Sequence, residues 1–182
     1  GNHDIEPGAK VYDKVVGELS MPYLAANAIN TETGEPYFAP YTILNKNGVK
    51  VAVIGLTNPN IPSWLSPELW EGIKFEKVVP TLEYWVAQVR EKENPHFVIA
   101  AMHAGLGDEE SDDIENPAFF VAKNVKGIDL VLAAHDHRVV AEKFQNGDKE
   151  VWILEGGSRA SNLSKATVEL TVKNGEIVYT MV

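Results

Sequence analysis

The sequence predicts an α/β fold, and the order of its apolar segments is the main indication. Three continuous apolar runs, at 97–102, 128–134 and 151–154, are typical of strands buried on both faces of a sheet. A helical pattern at 80–93 precedes the first run, and another at 117–124 separates the first two. Strands and helices that alternate in this way predict a layered α/β sheet.

The segments before the first apolar run predict a helix, a strand and a hairpin. Residues 8–19 carry apolar side chains at the spacing of a helix: Val11, Tyr12, Val15, Val16 and Leu19. Residues 22–29 indicate a short buried strand. Residues 40–46 and 49–56 flank an Asn-Gly pair at 47–48, which favours a type I′ turn, so we expect these two segments to form a hairpin.

Two features lie between this hairpin and the first apolar run. Residues 57–72 hold three prolines together with Trp64 and Trp70, and they predict a long ordered loop with one helical turn. Loops of this length are often functional. Pro80 then suits the first turn of the helix at 80–93.

The chain is expected to form one domain. Residues 166–172 and 176–182 flank Lys173-Asn174-Gly175 and predict a closing hairpin. The sequence shows no internal repeat, low-complexity stretch or linker, and 182 residues are enough to bury a sizeable core.

The composition excludes several classes of function. The sequence has no cysteine, which excludes disulfides, thiolate zinc sites and cysteine nucleophiles. Its net charge of −10 argues against binding a nucleic-acid polymer. A small phosphorylated substrate remains compatible, because bound divalent cations can be the largest local charges in a site. No apolar run approaches the roughly 20 residues of a membrane span.

Four of the five histidines fall in three short segments that point to a metal site. Gly1-Asn2-His3-Asp4 begins the chain, His103 ends one apolar run, and His135-Asp136-His137 follows another. Polar residues at the ends of core strands are where open α/β folds build their sites. Imidazole is a common metal ligand, and residues i and i+2 of an extended segment project to one side. Taken singly, each segment also fits a turn or a hydrogen-bonded surface histidine.

The combination of these three segments resembles the calcineurin-like metallophosphoesterases. Within that family it resembles the group of 5′-nucleotidases, 2′,3′-cyclic-nucleotide phosphodiesterases and UDP-sugar hydrolases. The resemblance covers most of the chain. The three segments are similar to that family's Gly-Asn-His-Asp/Glu, single-histidine and Gly-His-x-His motifs, and 24–27 and 53–57 also resemble the nucleotidase group. The resemblance implies a four-layer α/β/β/α sandwich of two mixed sheets, the metallo-dependent phosphatase fold.

The resemblance also implies a role for each histidine. Asn2, His103 and His135 would bind one metal of a pair, and His137 would bind the other. His3 would be the catalytic residue that protonates the leaving group or stabilises charge on the phosphoryl oxygens. Two cations about 3.5–4 Å apart can hold both the attacking and the leaving oxygen of an in-line displacement.

The aspartates of these motifs are given smaller roles. Asp4 is expected to be an outer partner of the site or a local capping residue, and Asp136 to be structural. Ala134 stands where the resembled motif has glycine.

The family's Asp-x-His and Gly-Asp motifs lie upstream of Gly-Asn-His-Asp, and this sequence begins at that motif. We therefore expect residues 1–182 to be the C-terminal portion of a metallophosphoesterase catalytic domain that lacks its first strands. A missing N-terminal segment would be needed to complete the site. Two divalent metal ions (Mn, Zn, Fe or Co) are expected in the full-length protein, with partial occupancy or none in this portion, which would be weakly active or inactive alone.

The predicted function is metal-dependent hydrolysis of phosphoric esters, most simply as a 5′-nucleotidase on small nucleotides. One alternative is a phosphodiesterase acting on cyclic nucleotides or sugar nucleotides. Another is a non-catalytic binding domain that keeps ancestral histidines. The resemblance implies a periplasmic or cell-surface location.

Four further residues are assigned from local pattern. Trp64 and Trp70 either line the substrate cleft or pack beneath a loop. Arg159 either holds a phosphate oxygen or belongs to a turn between strands. His96 matches no motif and is expected at the surface.

Overall fold

The computed structural model describes residues 1–173 and 176–181 and has a mixed α/β fold. Three short 3-10 turns lie at Asn2–Asp4, Ile61–Ser63 and Pro67–Leu69. The longer elements, in chain order, are α1 (Ala9–Glu18), β1 (Ala28–Asn30), β2 (Tyr41–Lys46), β3 (Val49–Leu56), β4 (Ile73–Phe75), α2 (Val78–Glu93), β5 (Phe97–His103), α3 (Ala118–Asn124), β6 (Leu130–Ala134), β7 (Val139–Asn146), β8 (Lys149–Gly156), β9 (Val168–Lys173) and β10 (Glu176–Met181).

A six-stranded sheet with the order β2-β3-β5-β6-β8-β7 organises the molecule. Its four inner strands β3, β5, β6 and β8 are parallel, and the outer strands β2 and β7 pair antiparallel with their neighbours. Beside this sheet, the described residues form two antiparallel ribbons, β1-β4 and β9-β10. The three apolar runs of the sequence are therefore the central strands, as predicted.

Both faces of the large sheet are apolar, but they are covered differently. Helices α2 and α3 pack on one face over a continuous buried cluster that includes Ile54, Val98, Val131 and Ile153. On the other face a smaller cluster is formed by Phe97, Leu130 and Leu154, with Trp152 and Val168 partly buried against it. Parallel strands buried in this way read as continuous apolar runs, which is why the sequence located them.

Most predicted elements are confirmed within one or two residues. The predicted helix at 8–19 is α1, the Asn-Gly hairpin is β2-β3, and the helix at 80–93 is α2, which begins two residues earlier at Val78. Asn47 and Gly48 both have positive φ, 53° and 81°, as the type I′ turn requires. The strands of the closing hairpin are β9 and β10, while its Asn174-Gly175 turn lies outside the described residues.

Three expectations need correction. Only residues 28 and 29 of the predicted strand at 22–29 lie in a strand, β1, and Leu24 makes one isolated bridge to Ala39. The loop at 57–72 contains two 3-10 turns, both with a proline early in the turn, where one was expected. Strands β4 and β7 were missed; β7 lies at the sheet edge and has mostly exposed side chains, so it has no apolar run.

No helix within residues 1–173 and 176–181 has the length and apolar character needed to cross a membrane.

Candidate metal centre

The candidate site lies where the four parallel strands end. The residues that follow or close these strands are Asn58 after β3, His103 at the end of β5, His135 after β6 and Glu155 near the end of β8. We call this the carboxyl edge of the sheet. Parallel strands bring their carboxyl ends to the same side, so residues separated by almost a hundred positions become neighbours.

Asn2 and His103 come into direct contact at this edge. The Asn2 Oδ1 atom lies 2.8 Å from His103 Nε2. The 3-10 turn at Asn2–Asp4 carries Asn2, and Gly1 lets that turn approach the ring, because a Cβ on Gly1 would lie 2.5 Å from His103 Nδ1. Glycine is therefore required here for close approach.

The environment of His103 favours the neutral imidazole that a metal ligand needs. Burial, to which the neighbouring His135 adds, lowers the pKa of His103 to about 4. A neutral ring offers a nitrogen lone pair to a cation without first losing a proton.

His135 stands beside His103, with ring centroids 5.3 Å apart. Trp64 stacks on the His135 ring at a centroid distance of 5.4 Å and an interplanar angle of 26°. Glu115 Oε1 lies 3.0 Å from His135 Nε2. The backbone of His135 has φ 122°, a conformation that side-chain-bearing residues rarely adopt.

Glu115 is a site residue that the sequence patterns missed. It lies in the loop between β5 and α3, and its Oε2 accepts a hydrogen bond from Asn60 Nδ2 at 3.1 Å. Its backbone carbonyl accepts another from Asn58 Nδ2 at 3.0 Å. No spacing rule places these loops together, since Asn58 and Glu115 are far apart in the chain and meet only at the carboxyl edge.

His3 does not point toward His103 in the way Asn2 does. Its side chain is 75% exposed, and its Nδ1 lies 2.6 Å from Glu6 Oε1. Asp4 bonds the N-terminal amino group of Gly1, which agrees with the local capping role expected for it. Glu6 was missed, because a carboxylate three residues after a histidine is common on any helical turn.

Asp136 and His137 are the other two residues of the segment that begins at His135. His137 is exposed and has φ 59°. Asp136 Oδ2 accepts a hydrogen bond from the Leu106 backbone at 3.1 Å, which ties this segment to the end of β5. The structural role expected for Asp136 fits this contact.

Glu155 supports the same segment from beneath. It is 1% exposed, and its Oε1 accepts a hydrogen bond from the Arg138 backbone at 3.2 Å. Burial, with the adjoining Asp136 carboxyl group second, raises the pKa of Glu155. The pattern Val-Trp-Ile-Leu before it located the strand, but no local pattern predicted that the following carboxylate is buried.

The donors at the carboxyl edge fit a first-row divalent cation in type, though not in number. Asn2 Oδ1 and His103 Nε2 already converge, and His135 adds an imidazole beside them. Nitrogen and amide oxygen suit Mn, Zn, Fe or Co. Within the described parts of the chain, however, no group of three or more His, Asp and Glu side chains is close enough to hold a metal ion.

The other residues singled out in the sequence lie partly at the site and partly away from it. Trp64 is 41% exposed and covers His135, so it lines the site, whereas Trp70 packs against Phe75 in the core beneath the loop. Arg159 has φ 54° and lies in the turn after β8. His96 is partly buried and accepts a hydrogen bond from the Lys50 backbone, so the surface assignment was wrong.

Comparison with known proteins defines the class to which this fold and site belong. Residues 1–139 match the calcineurin-like phosphoesterase family. The chain is 28% identical to a 2′,3′-cyclic-nucleotide 2′-phosphodiesterase/3′-nucleotidase of Haemophilus influenzae, covering 99% of this chain and 30% of that protein. It is also 28% identical to a 5′-nucleotidase of Vibrio parahaemolyticus, covering 97% of this chain and 34% of that protein. The chain spans about a third of the length of these relatives.

Solved structures show the same fold. A putative 5′-nucleotidase from Staphylococcus aureus superposes with a TM-score of 0.78 at 23% identity, covering 99% of this chain and 35% of that one. The calcineurin-like phosphoesterase YfkN from Bacillus subtilis superposes with a TM-score of 0.79 at 22% identity, covering 100% of this chain and 61% of that one. The protein thus belongs to the calcineurin-like phosphoesterase family, and the predicted fold class is confirmed.

Proposed function

We propose that this protein hydrolyses phosphoric esters at the carboxyl edge with the help of divalent cations. The observation that carries the proposal is the meeting of Asn2 Oδ1 and His103 Nε2, with His135 beside them. Family membership supports the reaction class. Because the relatives are about three times longer, the activity of the whole protein is itself part of the proposal.

The ligand assignment is the one that the family resemblance implies, and the contact of Asn2 with His103 and the neighbouring His135 ring supports it. Asn2, His103 and His135 would hold one cation, and His137, on the exposed end of the same segment as His135, would contribute to a second. When bound, such cations favour deprotonation of water and offset the charge on the phosphoryl oxygens. Manganese and zinc are the first candidates, because both accept imidazole and oxygen ligands.

His3 is suited to proton transfer rather than to metal binding. Glu6 accepts from His3 Nδ1 at 2.6 Å, which leaves Nε2 as the ring nitrogen available to a leaving-group oxygen. The pairing fixes the orientation of an otherwise exposed ring. Proton transfer by a positioned side chain is typically worth about 10²–10⁴-fold in rate.

Small nucleotides are the proposed substrates. The relatives are named as nucleotidases or as enzymes with both phosphodiesterase and nucleotidase activity, so hydrolysis of a monoester and of a cyclic diester are both candidates. The exposed indole of Trp64 next to His135 gives the site an aromatic wall that could meet a base. We give first place to 5′-nucleotidase activity.

The proposal is tested first by metal binding. We expect the whole protein to bind Mn²⁺ in calorimetry and its His103→Ala variant to lose that binding. His96→Ala is the matched control, because His96 lies at the opposite end of β5 and bonds the Lys50 backbone there. A whole protein without affinity for Mn²⁺ or Zn²⁺, or equal affinity in the His103→Ala and His96→Ala variants, would contradict the proposal and favour a non-catalytic binding domain.

Phosphate release is the second measurement. With 5′-AMP and 3′-AMP as substrates, we expect the whole protein to release phosphate in a metal-dependent reaction that falls to background in His103→Ala. Hydrolysis of 2′,3′-cyclic AMP is followed by the nucleoside monophosphate that it forms. The expectation that the 182 residues alone are weakly active or inactive stays a prediction, as does the periplasmic or cell-surface location. Faster conversion of the cyclic substrate to the monophosphate than release of phosphate from 5′-AMP would favour the phosphodiesterase alternative.

A further inference from the structure

The conformation of His135 needs support from outside its own segment. Its φ of 122° is unfavourable for a residue with a Cβ, and the next histidine, His137, also has positive φ. Strained residues persist only where surrounding contacts hold them, and they concentrate at functional sites. The contacts of the His135 ring therefore indicate what fixes it.

Two side chains from different loops hold the ring. Trp64, from the loop after β3, stacks on one face of the imidazole at 5.4 Å. Glu115, from the loop after β5, contacts the edge of the ring with Oε1 at 3.0 Å from Nε2. The His135 side chain is only 15% exposed, so both contacts are partly screened from water.

Glu115 is itself fixed at four points. Its Oε2 accepts from Asn60, and its carbonyl oxygen accepts from the fully buried Asn58 and from the Gly105 backbone at 3.1 Å. Its own N–H donates to Asp113 at 2.9 Å. A surface ion pair that formed by chance would not place both the backbone and the second carboxylate oxygen in hydrogen bonds.

We propose that Glu115 is a positioning residue that selects the ring nitrogen which His135 presents to the cation. Its carboxylate accepts the Nε2–H, so Nδ1 is the ring nitrogen that keeps a lone pair and would be offered to a cation held with Asn2 and His103. A carboxylate that orients a ligand histidine fixes its tautomer and raises its basicity. This inference rests on the proposed function for its purpose, but the tautomer it predicts exists without metal.

The tautomer is measured directly in the metal-free chain. Long-range nitrogen–proton NMR spectra at mildly alkaline pH, where free imidazole is neutral, distinguish Nε2–H from Nδ1–H rings. We expect the wild-type His135 ring to be almost wholly Nε2–H and the Glu115→Ala ring to become a mixture. Glu115→Gln keeps an acceptor oxygen and should retain most of the wild-type tautomer.

Glu110→Ala is the matched control. It removes a carboxylate from the same loop, but Glu110 pairs with Lys123 and not with the site. A wild-type ring that is mainly Nδ1–H, or a Glu115→Ala ring with unchanged tautomer in a chain that still unfolds cooperatively, would overturn the inference.

Metal affinity supplies the second readout. Loss of an outer-shell partner typically lowers metal affinity about 10–100-fold, so Glu115→Ala should weaken Mn²⁺ binding by that factor, with Glu115→Gln between it and wild type. Equal affinity in wild type and Glu115→Ala would overturn the inference. A whole protein that binds no Mn²⁺ would contradict the proposed function, whereas the tautomer result would still decide the role of Glu115.

Discussion

The two ends of the parallel strands bury polar groups in opposite ways. At the amino edge, where β5, β6 and β8 begin, the Asp129 carboxylate is 1% exposed and has strong partners. Arg90 donates at 2.8 Å, Lys149 at 2.5 Å and the Val98 backbone at 2.7 Å. Charged donors from a helix and a strand thus compensate the buried carboxylate.

The carboxyl edge leaves its polar groups less satisfied. The Glu155 Oε2 atom is buried, and within the described residues no N–H donor bonds it; a second carboxyl group, Asp136, lies within hydrogen-bonding reach instead. His135 and His137 both have positive φ. One edge therefore stabilises the fold, while the other keeps metal-ligand atoms available and holds strained backbone at the candidate site.

Breaking the amino edge should have the largest effect on stability. Asp129→Ala leaves Arg90 and Lys149 without their shared carboxylate and removes the acceptor for the Val98 N–H. We expect the free energy of unfolding to fall by about 3–5 kcal/mol in a denaturant titration. Asp148→Ala, at an exposed position, should change it by less than about 0.5 kcal/mol. Similar values for both variants would show that the amino edge contributes no special stability.

Overpacking the loop that carries Glu115 should lower both the stability of the fold and the affinity of the site for metal. A Cβ on Gly107, which has φ 62°, would lie 1.8 Å from the Asn116 carbonyl oxygen. Gly107→Ala should therefore lower the free energy of unfolding by about 1–3 kcal/mol and also weaken Mn²⁺ binding, because the displaced backbone adjoins Glu115. Gly34→Ala has open space around its Cβ and the same positive φ strain, so it serves as control. Unchanged metal affinity in Gly107→Ala would separate this loop from the site.

The two tryptophans of the loop at 57–72 should affect different properties, one the metal affinity and the other the stability. Trp64→Leu removes the ring stacked on His135, and we expect Mn²⁺ affinity to fall by about 2–10-fold, since an aromatic contact contributes about 0.5–1.5 kcal/mol. Trp70→Leu should lower stability without a change in affinity, because Trp70 packs against Phe75. An affinity loss in Trp70→Leu equal to that in Trp64→Leu would mean that the loop acts as a unit.

The smallest effect is expected at the loop surface. Lys123 pairs with Glu109 and Glu110 on exposed side chains. Exposed ion pairs contribute little, so Lys123→Ala should change Mn²⁺ affinity by less than about threefold in a competition assay. A larger loss of Mn²⁺ affinity that becomes smaller when salt is added would contradict this expectation. It would show that surface charge, and not the hydrogen bonds from Asn58 and Asn60, holds Glu115 in place.

The fold could be predicted where local pattern and burial agree. The strands around Val98, Val131 and Ile153 are apolar on both faces, so the sequence located them without help from tertiary contacts. Strand β7 could not be predicted in this way, because its exposed side chains leave no periodic apolar signal and pairing with β8 alone defines it.

Part of the site could also be predicted. The family resemblance implied Asn2, His103 and His135 as the ligands of one metal. The structure brings their side chains together, and their binding of a metal stays a prediction. Glu115 and Glu6 were missed, since a carboxylate in an acidic loop or on a helical turn looks the same whether it faces water or a histidine.

The segments that form the central strands, and the histidines that end them, could be identified from the sequence alone. Burial leaves a local record in composition, and a strand end is visible where an apolar run stops. Which carboxylate meets which imidazole depends instead on the tertiary structure. Side chains from separate loops come into contact through the packing of the whole sheet, and no local pattern encodes a distance between residues so far apart in the chain.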